Sequence, residues 1–280
     1  MPVTMAGGQR RVLLLLLRHA QSENNHAGAD DSASPADVGA TRLADPPLSE
    51  RGFAQSEACA SWINSEFGAR IVHIHCSPMI RTLQTVVPLA QVLSDVPISL
   101  HTDAFEVGGC FNGPRADDGR GHPLHYGLGP AEIRKLIPAM RVSAEDFASS
   151  PGWWRGGFES DVESRARAAR VCEWAWSQVP LEPRDPAAEL PVGVLVTHGF
   201  FISYLLQAML GVGAGGSGPS VALLSANGAI WLLELRITCV AGQAEARSFA
   251  VLAAGRTDHV PPPLRSGQKL NGFEIPRCME

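Results

Sequence analysis

The chain has 280 residues, of which 45% are hydrophobic and 18% are charged, and its formal net charge is −5. This composition is typical of a globular protein with a core of ordinary size, and the length suits one large domain or two small ones. Because the net charge is negative, the protein has no overall positive potential to attract anionic polymers or lipids. We therefore expect neither nucleic acid nor a membrane surface as a partner.

The cysteines and the first apolar segment indicate a cytoplasmic protein. Six scattered cysteines without a C-x-x-C pair are typical of reduced thiols rather than of a disulfide scaffold. The apolar run at 12–17 follows two arginines, as in a signal peptide, but it is too short for one and ends in Arg18 and His19 instead of a cleavage site. No apolar stretch approaches the roughly 18 residues that span a membrane.

In chain order, the apolar patterns predict an alternation of strands and helices. A strand at 12–17 is followed by a helix at 49–67, a strand at 71–75 and a helix at 79–93 that Pro88 should kink. Next come a short helix near 131–137, a helix opened by a Ser160/Glu163 capping box, and a strand at 192–196. A buried helix at 200–210 and strands at 229–235 and 248–253 complete the series. This order predicts an α/β fold, a three-layer α/β/α sandwich with a mainly parallel central sheet.

The helix after Ser160 is predicted to be amphipathic. Its apolar residues recur at helical spacing, so one face is expected to pack against the sheet. The residues assigned to that face are Val162, Ala166, Ala169, Cys172 and Trp176.

We predict a single domain over residues 1–280, interrupted by a long polar loop at 26–47 and an irregular insertion at about 110–158. A glycine-rich link is expected at 211–219. The adjacent Trp153 and Trp154 either anchor the insertion or line a substrate pocket. The insertion is locally basic, which fits either a solvated surface or a site for a second phosphate or an acidic group. Its basic residues are Arg115, Arg120, His122, His125, Arg134 and Lys135.

Three of the predicted strands are followed by residues that can hold an anion. Arg18 and His19 follow the first strand, Arg81 lies just beyond the second, and His198 follows the third. The carboxyl ends of parallel strands share one edge of the sheet, where ligands bind. An arginine and histidine cluster at that edge repels itself unless an anion fills it, and a phosphate is the natural occupant. For the Arg-His pair alone, a capped strand end is the other interpretation.

Five sequence blocks resemble the histidine phosphatase superfamily in order and in approximate spacing. They read RHAQSENN, PLSERGFAQ, SPMIRTLQT, FEVGG and THG, and the resemblance extends from Leu13 to about Asn227. The chain most resembles the branch that contains cofactor-dependent phosphoglycerate mutase and fructose-2,6-bisphosphatase. The acid-phosphatase branch is disfavoured because it typically continues R-H-G-x-R-x-P. Ala20 stands where the family usually has glycine.

The resemblance implies a role for each matching residue. His19 would be the nucleophile that accepts the phosphoryl group on a ring nitrogen, and Glu106 would protonate the departing oxygen. An alkoxide is a poor leaving group, so a reaction without a metal needs such a proton donor. The resemblance implies no metal and no cofactor. The implied phosphate-binding residues are Arg18, Asn25, Arg81, His198 and Gly199.

Three functions stay open from the sequence. The favoured one is a metal-independent phosphatase that acts on a phosphorylated small molecule or a phosphoprotein through a phosphohistidine. The second is phosphoglycerate mutase-type transfer, although residues 26–47 contain no counterpart of the mutase substrate loop. The third is a phosphate-binding scaffold without turnover. A homodimer is one possible assembly.

The segment His73-Ile74-His75-Cys76 invites a metal interpretation, because alternation on a strand places the two histidines on one face. A structural zinc site needs four converging ligands, and no nearby motif completes the set. We therefore predict satisfied histidines at the sheet edge and no metal.

Overall fold

Six strands form the central sheet of the computed structural model, in which residues 9–27, 42–110, 127–148, 151–154, 158–182, 188–212, 221–239, 245–267, 269–270 and 273–274 are described. The strands are β1 (Gln9–Arg18), β2 (Ile71–Cys76), β3 (Ile98–Leu100), β4 (Val192–Thr197), β5 (Ile230–Thr238) and β6 (Ala246–Arg256), in the spatial order β3-β2-β4-β1-β5-β6. The first four strands are parallel, whereas β5 is antiparallel to β1 and to β6. This confirms the mainly parallel sheet. Two short strands, β7 (Lys269–Leu270) and β8 (Phe273–Glu274), pair with each other.

The helices cover both faces of this sheet and confirm the α/β/α layers. They are α1 (Glu23–Ala27), α2 (Glu50–Phe67), α3 (Ile80–Val92), α4 (Pro130–Leu136), α5 (Asp161–Ser177) and α6 (Gly199–Met209). Residues of α2, α3 and α4 share one apolar cluster with one face of β1, and residues of α5 and α6 share a second cluster with the other face.

The leucine run of β1 is explained by its position between the two clusters. Leu13, Leu15 and Leu17 belong to the first cluster, whereas Leu14 and Leu16 belong to the second. A strand buried on both faces needs apolar side chains at every position rather than at alternate ones. The run therefore holds β1 rigidly between β4 and β5, with Arg18 as its last residue.

Two helices begin as their sequences predict. Ser49 caps α2 by accepting a hydrogen bond from the Gly52 amide at 3.2 Å. Ser160 and Glu163 form the predicted capping box at the start of α5. Helix α3 continues as one element through Pro88. The sequence patterns missed β3, which is only three residues long.

The predicted packing face of α5 was wrong over its first half. Val162 is 76% exposed, and Ala166 and Ala169 are exposed as well. The helix is rotated because Arg167 is buried and makes an ion pair with Glu159, which turns the apolar-looking positions outward. The buried stripe is Ser164, Arg167, Ala168, Val171, Cys172, Ala175 and Trp176.

The two long segments are described only in part. Most of the basic residues of the insertion lie outside the described residues, and the single-domain prediction stays a prediction. Arg134 and Lys135 lie on α4 and are exposed. Trp153 is buried and its ring centroid is 5.4 Å from that of Phe105, so this tryptophan anchors the insertion to the body of the protein.

Candidate active site

The carboxyl edge of the sheet brings together the predicted cations and histidines. His19 follows β1, Arg81 lies in the first turn of α3, and His198 lies between β4 and α6. The Nε of Arg81 donates to Nε2 of His19 at 3.2 Å, and the His19 and His198 ring centroids are 5.1 Å apart. The three side chains are almost completely buried. The edge therefore holds a compact, electropositive site.

The hydrogen bonds of His19 define which ring nitrogen can react. Nδ1 lies 2.7 Å from the carbonyl oxygen of Ala20, which can only accept, so Nδ1 carries the proton. Nε2 then carries the lone pair that accepts the hydrogen bond from Arg81. Burial, together with the positive charges of Arg81 and Arg18, holds the pKa of His19 well below its usual range. A neutral imidazole with a directed lone pair is a competent nucleophile.

The backbone after His19 is held from three directions. The amide of Ala20 donates to Thr85 of α3 at 3.1 Å, and the amide of Gln21 donates to Gln55 of α2 at 2.7 Å. The Gly228 amide donates to the carbonyl of His19 at 3.3 Å. A Cβ at Gly52 would lie 2.0 Å from the Gln21 carbonyl oxygen, so only glycine lets α2 approach this loop.

Arg18 points along the same edge. Its guanidinium donates to the carbonyl of Ser225. Burial and the charge of Arg81 lower its pKa to about 10, although Glu106 favours the charged form. A Cβ at Gly199 would come within 3.1 Å of the Arg18 Nε, which explains a glycine at the start of α6.

His198 is oriented by Ser77, the residue directly after β2. Its Nε2 lies 2.7 Å from the Ser77 hydroxyl, while Nδ1 is buried without a hydrogen-bond partner among the described residues. Burial and the neighbouring Arg81 keep the pKa of His198 well below its usual range. Its ring is thus a neutral, oriented group beside His19.

Glu106 reaches the site from the segment after β3. One carboxylate oxygen accepts from the amides of Val107 at 2.9 Å and Phe201 at 3.1 Å. Phe201 lies in the first turn of α6, so the carboxyl group is held against the N-terminus of this helix.

A buried clamp fixes the segment that carries Glu106. Arg167 of α5 donates to the carbonyls of Asp103 and Phe105, both at 2.8 Å, and its Nη2 lies 2.6 Å from the Glu159 carboxylate. Its guanidinium carbon lies 3.5 Å from the centroid of the Phe105 ring and 4.5 Å from that of the Phe201 ring. The sequence patterns missed this clamp because a buried arginine has no hydrophobic signature.

The side chain of Asn25 is held by one residue of its own segment and by one residue far away in the chain. Its side-chain oxygen accepts from the Ser22 hydroxyl and from Nδ2 of Asn227, both at 3.0 Å. This leaves the Asn25 amide nitrogen as the donor for a ligand. Asn227 in turn bonds Ser266, so the segment after β6 supports the site from behind.

Two further residues at this edge were not predicted. Asp45 accepts from the Ile80 amide at 3.0 Å, and its carboxylate lies 3.8 Å from Arg81, which it orients. Burial raises the pKa of Asp45 to about 6, against the opposing effects of Arg81 and the Ile80 amide. Arg42 lines the same cavity, and burial and Arg81 lower its pKa. Both belong to the described end of the predicted 26–47 loop, and no periodic pattern marks them in the sequence.

Many of these residues line one cavity of about 400 Å³. Its lining combines charged and polar side chains with aromatic and apolar ones. The lining consists of Arg18, His19, Ser22, Asn24, Asn25, Arg42, Pro46, Arg81, Glu106, Val107, Phe158, Gly199, Phe200 and Tyr204.

The other histidine cluster lies away from this cavity. His73 and His75 stack with centroids 4.1 Å apart, and His73 bonds Ser99 at 2.9 Å. The predicted edge position was wrong for both histidines, because β2 lies inside the sheet. The prediction that they are satisfied was wrong for His75, whose Nε2 has no hydrogen-bond partner among the described residues. Within those same residues, no group of three or more histidine, cysteine, aspartate or glutamate side chains could hold a metal.

The structure is an α/β protein in which two arginines, Arg18 and Arg81, and two buried histidines, His19 and His198, lie at the carboxyl edge of the sheet. The family model described as histidine phosphatase superfamily (branch 1) matches residues 14–235. The chain therefore belongs to the histidine phosphatase superfamily, as the sequence blocks predicted.

Comparison with solved structures supports the fold. A structure titled mycobacterial hydrolase 1 is 21% identical, covers 89% of this chain and 99% of its own, and has a TM-score of 0.51. Mycobacterial hydrolase 2 is 20% identical, covers 92% and 95%, and has a TM-score of 0.50. Comparison with curated proteins gave no match. In the described part of the chain, no helix is long and apolar enough to cross a membrane.

Proposed function

We propose that this protein is a phosphatase that hydrolyses phosphomonoesters without a metal, through a phosphohistidine on His19. The observation that carries the proposal is the hydrogen bonding of His19. Its Nδ1 faces the Ala20 carbonyl and its Nε2 faces the Arg81 guanidinium, in a buried site whose remaining groups suit the oxygens of a phosphoryl group.

In the first step, the Nε2 lone pair of His19 attacks phosphorus as the bond from phosphorus to the ester oxygen breaks. The electron pair of that bond stays on the departing oxygen, which takes a proton from the Glu106 carboxyl group. Arg18, Arg81 and His198 stabilise the charge that spreads over the equatorial oxygens.

In the second step, water attacks phosphorus while Glu106, now a carboxylate, removes a proton from the water. The bond between phosphorus and Nε2 breaks, and its electron pair returns to the ring. Orthophosphate leaves, and Glu106 again carries the proton for the next cycle.

A single-turnover experiment tests the intermediate. The enzyme is mixed with a ³²P-labelled phosphomonoester and quenched in alkali, in which phosphohistidine survives. We expect label on the peptide that contains His19 and none after His19→Ala, with turnover lowered by roughly 10⁴-fold or more. His73→Asn, a histidine outside the cavity, should label and turn over as the unmodified protein does. Full activity of His19→Ala, or loss of activity with EDTA, would contradict the proposal.

Phosphoglycerate mutase-type transfer is the second candidate, and Arg42 is the observation that favours it. This cation lines the cavity, is not among the residues assigned to the phosphoryl group, and suits a substrate carboxylate as its partner. Turnover of 3-phosphoglycerate to 2-phosphoglycerate, measured with and without bisphosphoglycerate, separates the candidates. Phosphate release without mutase product supports hydrolysis.

The scaffold hypothesis is tested by the same labelling, since binding without turnover leaves no label on His19. A cytoplasmic location, a homodimer, and the choice between a small-molecule and a phosphoprotein substrate stay predictions.

A further inference from the structure

The cavity that Glu106 lines contains aromatic and aliphatic side chains as well as charged ones. The leaving group must lie beside Glu106, because this residue delivers the proton to the departing oxygen in the proposed reaction. Glu106 is held against the first turn of α6 by the Phe201 amide at 3.1 Å. The surface around this turn therefore meets the alcohol part of the substrate.

That surface is formed by Val107, Phe158, Phe200 and Tyr204, all of which line the cavity. Phe200 and Tyr204 are four residues apart on α6 and thus lie on one face of the helix. Val107 follows Glu106 directly, and Phe158 is 38% exposed. The four side chains bring three aromatic rings and a branched aliphatic group to the cavity that His19 also lines.

Tyr204 presents its ring rather than its hydroxyl. The hydroxyl donates to the Asp161 carboxylate, and burial and Asp161 raise the pKa of Tyr204 to about 12. The Arg165 guanidinium lies 4.5 Å from the ring centroid. With its polar atom engaged, the tyrosine contributes mainly carbon surface to the cavity.

A smaller cavity of about 120 Å³ continues from the same tyrosine between α5 and α6. Its lining combines the apolar Ala169, Ala208 and Val212 with the polar Arg165 and Gln207. The aromatic and aliphatic side chains of the main cavity favour an apolar group of at least the size of one ring.

We propose that Val107, Phe158, Phe200 and Tyr204 form a subsite for the alcohol of the substrate, and that this alcohol carries an apolar ring close to the phosphorylated oxygen. The proposal rests on the phosphatase function proposed above, since Glu106 places the leaving group. It names a class of small phosphomonoesters, those of ring-bearing apolar alcohols. Arg42 supports the competing class, phosphomonoesters with a carboxylate.

Turnover of matched substrates gives the first test. Benzyl phosphate and glycerol 1-phosphate both release a primary alcohol, so the chemistry of departure is similar and the subsite makes the difference. We expect kcat/KM for benzyl phosphate to be roughly tenfold higher or more. Phe200→Ala and Phe158→Ser should each lower this preference, whereas Tyr204→Phe, which keeps the ring, should preserve it. Phe53→Ala, an exposed ring on α2, is the control variant.

Binding of phosphonates gives a test that needs no turnover. Calorimetry compares benzylphosphonate, ethylphosphonate and 3-phosphonopropionate with the unmodified protein and with Phe200→Ala, after thermal melting has confirmed that the variant is folded. Tighter binding of benzylphosphonate that Phe200→Ala removes supports the subsite.

Equal affinity for the three phosphonates would overturn the subsite proposal. A preference for 3-phosphonopropionate that Arg42→Met removes would also overturn it, because that result would show that the cavity selects a substrate with a carboxylate. The two proposals fail separately. If the protein prefers benzylphosphonate but His19 takes up no label, the phosphatase proposal is refuted and the subsite is kept. If His19 takes up label but no phosphonate is preferred, the subsite is refuted and the phosphatase proposal is kept.

Discussion

At the scale of single residues, the site separates two titratable groups by their surroundings. His19 is buried among cations, which penalise a second positive charge, so its ring stays neutral. Glu106 lines the cavity and accepts two backbone hydrogen bonds. In the proposed reaction, His19 attacks phosphorus, and Glu106 exchanges protons with the leaving oxygen and with water.

The role of Glu106 predicts a dependence on the leaving group. Glu106→Gln keeps an oxygen that can accept from Phe201 but has no proton to deliver. We expect kcat for an alkyl phosphate to fall by roughly 10²–10⁴-fold. The loss for 4-nitrophenyl phosphate should be much smaller, because nitrophenolate departs without protonation.

Steady-state kinetics on both substrates measure this difference. Glu132→Gln, an exposed carboxylate on α4, is the matched control and should leave both rates unchanged. Equal losses on the two substrates would show that Glu106 acts only by capping α6.

At the scale of elements, Arg167 lets α5 support the site although this side chain does not line the cavity. This side chain joins α5 to the segment before Glu106 through two carbonyls and packs between rings of that segment and of α6. Glu159 compensates its charge in the interior. The clamp therefore couples the stability of α5 to the position of Glu106.

Removing the arginine should cost both stability and activity. Arg167→Met leaves the buried Glu159 carboxylate without its cation, and we expect the free energy of unfolding to fall by about 3–5 kcal/mol. Urea unfolding measures the loss. Arg170→Met is the control on the same helix, because its pair with Asp103 is exposed and such pairs contribute about 1 kcal/mol or less.

The double variant Arg167→Met/Glu159→Leu separates positioning from folding. Without a buried unpaired charge, much of the stability should return, whereas kcat should stay low because the Phe105 carbonyl has lost its donor. Recovery of kcat together with stability would show that Arg167 has no positioning role.

At the scale of the whole molecule, several histidines are kept neutral by burial. The pKa values of His19 and His198 lie well below the usual range, and burial lowers those of His75 and His101 to about 3 and about 4. These groups bind protons below about pH 6.5 in the unfolded chain but not in the folded one. Asp45 has the opposite effect, because its raised pKa adds stability as the pH falls from about 6.

The histidines outnumber Asp45, so the protein should lose stability as the pH falls below 6.5. Each histidine that stays neutral contributes a slope of about 1.4 kcal/mol per pH unit in that range. Urea unfolding between pH 7.5 and pH 5 measures how the free energy of unfolding changes with pH. His75→Phe should reduce this slope by nearly the contribution of one proton, about 1.4 kcal/mol per pH unit. At pH 7.5, His75 is neutral in the folded and in the unfolded protein. The difference in free energy of unfolding between the variant and the unmodified protein at this pH therefore reports packing alone. Maximal stability at pH 5 would contradict the expectation.

The sequence predicted the sheet and the cluster of histidines and arginines better than it predicted the loop and the helix that surround this cluster. A strand buried on both faces requires a continuous apolar run, which made β1 visible, and family blocks located His19, Arg81 and His198. The course of the loop that brings in Arg42 and Asp45 has no periodic pattern. The orientation of α5 was misjudged because a hydrophobic pattern cannot foresee that Arg167 is buried.

By itself, the sequence determined the α/β class, the family and the candidate site residues, because apolar periodicity and ordered motifs are local properties of the chain. Only the tertiary structure decided the tautomer of His19, the support of Arg81 by Asp45, the clamp on the Glu106 segment and the aromatic wall of the cavity. These features depend on contacts between residues far apart in the chain, such as Arg167 with Phe105 and Asn227 with Asn25. Such contacts exist only once the sheet edge has assembled, because packing fixes distances that no local pattern encodes.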